Sequence, residues 1–215
     1  MPKIFYRSLL ICAVACAPLT AHALDLLEPY NKGFTDIELY YGNQNGNEHN
    51  VTPVFAYGFS DYLNPILSTS FDIGSEGSSY SLGISNLATI YQGIIDVDLI
   101  PGIWVGPDTS LFNLALELSL PMGLFTPYVQ ASTAHVANDV SDNSQSVSVG
   151  MMVQVTDKQE LFMQAMREFS DESASGGAVG FNQQLNDSFE LITEIGYLST
   201  WNASLGMIWT FDPLF

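Results

Sequence analysis

The residues outside the N-terminus that could act as catalytic bases are two histidines, His49 and His135. A hydrolase would need one of them beside a serine or an aspartate, and His135 does lie between Ser132 and Asp139. The deacylase-type spacing, with a serine two residues after the histidine, is absent because Ala137 occupies that position. A histidine among polar loop residues is usually only solvated. We therefore predict that the chain is not an enzyme and needs no cofactor.

Carboxylates offer a second kind of chemistry, because 23 Asp and Glu stand against 5 Lys and Arg in 215 residues. The net charge of -18 repels phosphate and excludes a nucleic-acid-binding protein. Carboxylates that line a wet passage concentrate cations and repel anions. The candidates for this role fall on the polar positions of alternating segments, and they are Glu38, Asp72, Asp96, Asp98, Glu117, Glu190 and Glu194.

The N-terminus predicts export from the cytoplasm. Lys3 and Arg7 precede an apolar run at residues 9–17, and the small-residue motif Ala-His-Ala follows at 21–23. This is the pattern of a cleaved signal peptide spanning residues 1–23. The apolar run is too short for a transmembrane helix, so a bundle of such helices is excluded. Both cysteines, Cys12 and Cys16, would leave with the signal.

From Thr35 onward the sequence alternates with a period of two residues. In residues 111–120, for example, Phe112, Leu114, Leu116 and Leu118 alternate with small or polar residues. One face of each segment is large and apolar, whereas the other is rich in Ser, Gly, Thr, Asn and Gln. This repeat predicts an all-β, closed antiparallel transmembrane barrel. The alternative is a secreted β-sandwich, but its solvent face would normally carry Lys and Glu.

The connections between these segments predict twelve strands. Short turns and polar loops alternate along the chain. The turns fall at 60–61, 86–89, 121–123, 157–158 and 186–187, and the loops at 43–50, 74–78, 101–110, 137–146, 170–176 and 198–202. An even count places both termini on one side, the periplasmic side of a barrel with longer outer loops. Ten strands remain an alternative, because residues 85–100 are ambiguous. The expected domains are the signal peptide (1–23), a periplasmic segment (24–33) and the barrel (34–215).

Aromatic residues cluster at the ends of the predicted strands, as they do at the two interfaces of a membrane. One belt comprises Phe59, Tyr62, Tyr91, Phe125, Tyr128, Phe189, Phe211 and Phe215. The other comprises Tyr41, Phe71, Tyr80, Phe112, Phe169, Tyr197 and Trp201.

The last segment alternates up to a terminal phenylalanine, with Trp209, Phe211 and Phe215 on one face. This ending resembles the assembly signature of bacterial outer-membrane β-barrel proteins. The resemblance implies an outer-membrane location and recognition of Phe211 and Phe215 by the barrel assembly machinery. Pro213 departs from the pattern, because it lacks the N–H that pairing requires.

A finer resemblance covers residues 33–63. The segments Gly-Phe-Thr-Asp-Ile-Glu-Leu (33–39) and Tyr-Gly-Phe-Ser-Asp-Tyr-Leu (57–63) are similar to the transporter barrels of the phenol-degradation meta-pathway family. That family carries a Glu in its first strand and a Tyr-Gly-aliphatic-Ser/Thr-Asp motif before its third. The resemblance implies a transport function.

Four carboxylates of the predicted outer loops, Asp139, Asp142, Asp171 and Glu172, could gather calcium. The simpler interpretation is an acidic surface that divalent cations bridge to lipopolysaccharide. We therefore expect outer-membrane lipids as partners and no dedicated metal site. The oligomeric state stays open.

Two functions fit a barrel of this size, because eight strands leave a filled interior and sixteen leave an aqueous channel. Few bulky residues fall on the polar face, and space is left there by Gly83, Ser85, Gly150, Gly196 and Gly206. Most of the inward carboxylates lack a basic partner, so they must keep water around them or take up protons. We predict a channel for small solutes that prefers cations. The alternative is a closed structural or adhesive barrel.

Overall fold

In the computed structural model, the residues described are 33–44, 48–60, 63–74, 77–107, 110–137, 143–170 and 173–211. The expected signal peptide, Phe215 and the four loop carboxylates proposed for calcium lie outside these ranges. No helix of the described residues is long and apolar enough to cross a membrane.

Twelve β-strands follow one another along the chain. They are β1 (Thr35–Gln44), β2 (Glu48–Tyr57), β3 (Asn64–Gly74), β4 (Gly77–Tyr91), β5 (Asp96–Val105), β6 (Ser110–Ser119), β7 (Phe125–Val136), β8 (Ser144–Thr156), β9 (Gln159–Phe169), β10 (Ala174–Asn186), β11 (Phe189–Leu198) and β12 (Thr200–Phe211). Each strand pairs antiparallel with its neighbours in sequence. The predicted count of twelve is confirmed, and the alternative of ten is wrong.

Pairing between the first and last strands closes the barrel. The register runs without interruption from Thr35 opposite Phe211 to Gln44 opposite Asn202. Closure leaves no strand edge unpaired, as a sheet inside a hydrocarbon phase requires.

The period-two pattern separates an exterior from a lumen. On β6, Phe112 and Leu116 are 47% and 40% exposed, whereas Ala115 and Glu117 are each 1% exposed. The apolar face is therefore the outside of the barrel, where it can contact lipid. A sandwich, whose apolar face would be buried as a core, is excluded.

Pro53 and Pro101 lie in the interior of β2 and β5, where each accompanies a gap in a ladder without ending its strand. The β2–β3 ladder is interrupted between the pairs Val51–Phe71 and Val54–Ser68, beside Pro53. The β4–β5 ladder is interrupted between Ser85–Gly102 and Ala88–Leu99, beside Pro101. A proline donates no ladder hydrogen bond, so a local gap is expected at each position.

The region around Pro101 corrects two predictions. Residues 86–89 do not form a turn, because β4 continues to Tyr91 and the turn lies at 92–95. The predicted loop at 101–110 begins too early, since β5 continues to Val105.

The predicted turns at 121–123 and 157–158 lie between strands as expected, and the turn after β10 lies one residue later, at 187–188. The predicted loops are too long, because the strands extend into them. The connection between β11 and β12 is Ser199 alone, with a left-handed φ of 61°. By the strand bounds given, the connections at the end of the barrel opposite the termini are therefore not consistently longer than those at the other end.

Candidate functional site: the lumen of the barrel

In the described strands, acidic side chains lie on the inner face of the barrel and the single arginine lies on the outer face. Every Asp and Glu of the described strands lies at an inward position by strand alternation. All seven carboxylates predicted from the sequence are among them. The sequence analysis left out of this set Asp36, Glu48, Glu160 and Glu168.

No Lys or Arg of the described strands faces the lumen. Arg167 is the single Lys or Arg of these strands and points outward, with its guanidinium 5.3 Å from the centre of the Phe169 ring. Lys158 lies in the turn between β8 and β9. The inward face of the described strands therefore carries acidic side chains and no Lys or Arg.

Asp98 and Glu117 lie directly opposite each other on β5 and β6. Thr89 and Gln130 flank them on β4 and β7, and the four residues form one row across the wall, the carboxylate row. Thr89 Oγ1 donates to Asp98 Oδ1 at 2.7 Å, and Gln130 Nε2 donates to Glu117 Oε2 at 3.2 Å. Glu117 Oε1 is buried and accepts no hydrogen bond in the structure. Thr89 and Gln130 thus each donate a hydrogen bond to one of the two carboxylates, and Glu117 Oε1 is left for a ligand or for water.

A second acidic group lies at the same end of the barrel, on β1 and β11. Glu38 and Glu190 both pair with Ile208 of β12, so the two carboxylates flank one residue. Asn182 Nδ2 donates to Glu190 Oε2 at 3.0 Å. Asp36 lies opposite Thr210, one step nearer the rim. Acidic side chains therefore occupy two sectors of the wall at this level.

The three remaining predicted residues lie elsewhere. Asp96 accepts a hydrogen bond from the Gly93 backbone N–H at 3.0 Å, in the turn that precedes β5. Asp72 lies near the opposite end of the barrel and accepts from Ser79 at 3.3 Å. Glu194 is buried at mid-strand, opposite Ser204. The structure therefore does not gather the seven residues into one ring.

Large apolar side chains also face the lumen, and the prediction of few bulky residues there is wrong. They form a connected cluster, the apolar layer, to which every strand except β10 contributes. Its members are Tyr40, Val54, Ala56, Ile66, Leu87, Ile100, Ala115, Tyr128, Met152, Phe162, Ile192 and Ile208. Tyr40 lies at the middle of β1, and the other members lie in the half of their strands nearer the termini. The layer narrows the lumen at the level of the carboxylate row.

Glycines opposite the large rings keep these rings against the wall. Four inward aromatic residues each lie opposite a glycine of the next strand: Tyr40 and Gly206, Trp104 and Gly83, Tyr128 and Gly150, and Phe162 and Gly180. A Cβ on any of these glycines would overlap the ring opposite.

Tyr128 shows the arrangement most clearly, because its hydroxyl reaches past Gly150 and donates to Gln164 on β9 at 3.3 Å. Three of these glycines had been expected to leave open space, whereas they accommodate rings. Tyr128 also lies inside the barrel, so its assignment to an aromatic belt is wrong.

The two histidines lie on the outward face of β2 and β7. Tyr41 Oη and Asn43 Nδ2 lie 2.7 Å and 2.9 Å from His49 Nδ1, and Thr133 Oγ1 lies 3.2 Å from His135 Nε2. Neither histidine faces the lumen. Among the described residues no group of three His, Cys, Asp or Glu side chains could hold a metal ion.

Comparison with known proteins identifies the fold. No protein-family model matches the chain, and no curated protein matches it significantly. Solved structures match closely in shape. The KdgM porin aligns with a TM-score of 0.71 and 7% identity, over 82% of this chain and 99% of its own. The NanC porin aligns with a TM-score of 0.67 and 9% identity, over 83% and 100%.

A third similar structure is an outer-membrane channel from Pseudomonas putida F1, with a TM-score of 0.67, 10% identity and coverage of 86% of this chain and 97% of its own. The identities are too low to carry residue roles across. The architecture, however, is shared over nearly the whole of each neighbour. The chain has the fold of bacterial outer-membrane porins, a closed antiparallel barrel of twelve strands.

Proposed function

We propose that the chain is an outer-membrane channel for small solutes whose lumen favours cations. One observation carries the proposal: in the described strands every carboxylate is inward and the single arginine is outward. An apolar exterior suits a membrane-embedded barrel, and an acidic interior suits a passage that water enters.

Water in the lumen follows from the cost of dry carboxylates. Burying an ionised carboxylate without compensating contacts is very unfavourable. Asp98 and Glu117 each receive one side-chain hydrogen bond, while Glu117 Oε1 receives none from the protein. Water or a cation would supply the missing contact. Acidic groups that stay hydrated hold a negative potential along the passage, which concentrates cations.

The similar structures support transport as the function class. Two are porins and one is an outer-membrane channel. One structure of KdgM contains oligogalacturonate, a chain of carboxylate-bearing sugars. The lumen described for the present chain would repel such a polyanion, because its charged side chains are all acidic. We propose small cations or neutral solutes instead.

A closed barrel that serves as a structural or adhesive anchor is the second candidate. The apolar layer favours it, since Leu87 and Phe162 are almost completely inaccessible to water. In this case the layer would fill the lumen, and the acidic groups on either side would face separate aqueous compartments.

Recording in planar lipid bilayers tests the proposal. Purified barrel is added to one chamber in symmetric potassium chloride, and boiled protein serves as the control. A channel gives discrete current steps with the folded sample alone. If protein that is inserted and folded gives no steps, the channel is refuted and the closed barrel is supported.

Assembly in the membrane is a further part of the proposal. Trp209 and Phe211 lie on the outward face of the closing strand β12, and Phe211 is 45% exposed. We propose that this face, with Phe215 beyond the described residues, is recognised by the barrel assembly machinery.

A further inference from the structure

The exterior of the barrel carries a groove across β5 to β9. Its volume is about 410 Å³, and its lining comes mainly from outward side chains of these strands. Ala131, a small residue that lines the groove, lies between Leu116 on one strand and Val147 on the next. The groove therefore forms where one short side chain interrupts a surface of large ones.

One row of paired residues runs along this groove and ends at Arg167, which lies next to the lining residue Val147. Leu99 pairs with Leu116, Leu116 with Ala131, Ala131 with Val147, and Val147 with Arg167. Leu99 lies near the end of β5 that is closer to the termini, whereas Arg167 lies near the opposite end of β9. Because strands tilt in a barrel, a row across them climbs through the membrane. The groove has the direction of an acyl chain that rises toward a head group.

The upper end of the groove is polar. Arg167 is the single Lys, Arg, Asp or Glu on the outward face of the described strands. Its guanidinium packs over Phe169, which itself lines the groove beside Thr133 and Gln145. This combination gives a cation and hydrogen-bonding side chains at one end of an apolar groove.

From this arrangement we infer that the groove binds lipopolysaccharide, with one acyl chain of its lipid A along Ala131 and a lipid A phosphate at Arg167. An arginine recognises phosphate through charge-assisted, often bidentate hydrogen bonds. Thr133 and Gln145 can contact the sugar next to the phosphate. The inference rests on the proposed outer-membrane location, in which the end of the barrel opposite the termini faces the leaflet that contains lipopolysaccharide.

The test measures lipid binding directly, so its outcome is independent of whether the barrel conducts. Folded barrel in detergent micelles is titrated with lipid A, and the bound lipid is counted by native mass spectrometry. The variants are Arg167→Gln, which removes the cation, and Ala131→Leu, which fills the groove. Lys158→Gln is the control, because it makes the same charge change in a turn. Gel mobility with and without boiling verifies the fold of every variant.

We expect one lipid A to bind wild type and Lys158→Gln equally. We expect binding to weaken about tenfold in Arg167→Gln, as the loss of a charge-assisted hydrogen bond predicts. Ala131→Leu should also weaken the binding of lipid A. Lipid A without phosphates should bind wild type weakly, to the same degree as intact lipid A binds Arg167→Gln.

If both variants, Arg167→Gln and Ala131→Leu, bind lipid A as tightly as wild type does, the inference is overturned. Phosphatidylglycerol that binds as tightly as lipid A would overturn lipopolysaccharide as the occupant.

Discussion

Asp98 and Glu117 face each other on neighbouring strands, although like charges directly opposite destabilise a sheet. A sheet selected for stability alone would place a neutral residue in one of the two positions. The hydrogen bonds from Thr89 and Gln130 relieve the repulsion only in part. In the proposed channel, the pair would contribute negative potential to the lumen.

The first prediction concerns this pair. The double variant Asp98→Asn, Glu117→Gln removes both charges and keeps the side chains almost the same size. We expect the proposed cation preference of the channel to fall, because two inward carboxylates at the level of the apolar layer lose their charge. The measurement is the reversal potential across a potassium chloride gradient.

The matched control is Asp187→Asn, which removes a charge from a turn outside the lumen wall. It should leave the reversal potential close to that of wild type. An unchanged cation preference in the double variant would show that the carboxylate row does not set the field.

The second prediction concerns the glycines opposite aromatic rings. The three heavy atoms nearest to a Cβ built at Gly83 all belong to the ring of Trp104. We expect Gly83→Ala to lower the free energy of unfolding by about 1–3 kcal/mol, the usual cost of overpacking. Urea unfolding in detergent micelles provides the measurement.

The same substitution in a Trp104→Leu background is the control. If the ring is the cause, the cost of Gly83→Ala should nearly vanish there. A cost of the same size in both backgrounds would argue against the contact between Gly83 and Trp104.

Sequence alternation was sufficient to place most inward carboxylates, but it failed on β9. The faces of this strand are not clean, because Phe162 is inward and Arg167 is outward. Gly180 on the next strand has no Cβ and so leaves room for the Phe162 ring inside the barrel. On the outside, the Arg167 guanidinium is stabilised by the Phe169 ring. The first of these compensations depends on a residue of another strand, which the pattern of β9 alone does not reveal. Glu160 and Glu168 were missed for this reason.

Among the elements, β4 and β5 show how proline misleads a sequence analysis. Pro101 and Gly102 look like the start of a loop, yet the strand continues because its neighbours pair on both sides of the gap. The closed sheet holds the residues around Pro101 in a strand even where one ladder is interrupted. Such pairing is a long-range property, which local residue preferences do not reveal.

The third prediction concerns the hairpin of β11 and β12. Ser199 alone connects the strands and has a φ of 61°, a conformation that costs a residue with a Cβ more than it costs glycine. We expect Ser199→Gly to raise the free energy of unfolding by about 0.5–1 kcal/mol, and Ser199→Val to lower it. Urea unfolding of the refolded barrel distinguishes the two directions.

The control is Ser188→Gly, in the turn between β10 and β11, where φ is not positive. It should give no stabilisation. If Ser199→Gly is no more stable than wild type, the turn does not have the left-handed conformation described.

For the whole molecule, closure determines how the barrel unfolds. The twelve strands pair in a closed ring, so each strand has a neighbour on both sides. No strand can therefore separate from the sheet without breaking two ladders of hydrogen bonds. The fourth prediction is that the protein migrates differently in detergent gels before and after boiling. Identical migration, with recovery from the soluble periplasmic fraction, would contradict a membrane barrel.

The sequence predicted the closed barrel and its twelve strands because these features depend on a repeat that every strand shares. It did not predict the apolar layer. The layer is formed by one or two residues from each of many strands, and no single strand has enough of them to change its pattern. The filling of the lumen by apolar side chains is therefore seen in the structure alone.

The most direct test of the account is the reversal potential of the wild-type channel across a potassium chloride gradient. An acidic lumen predicts a potential displaced toward that of potassium. The displacement should shrink at 1 M salt, where the screening length falls to about 3 Å. A potential displaced toward that of chloride would contradict the claim that the inward carboxylates govern passage through this barrel.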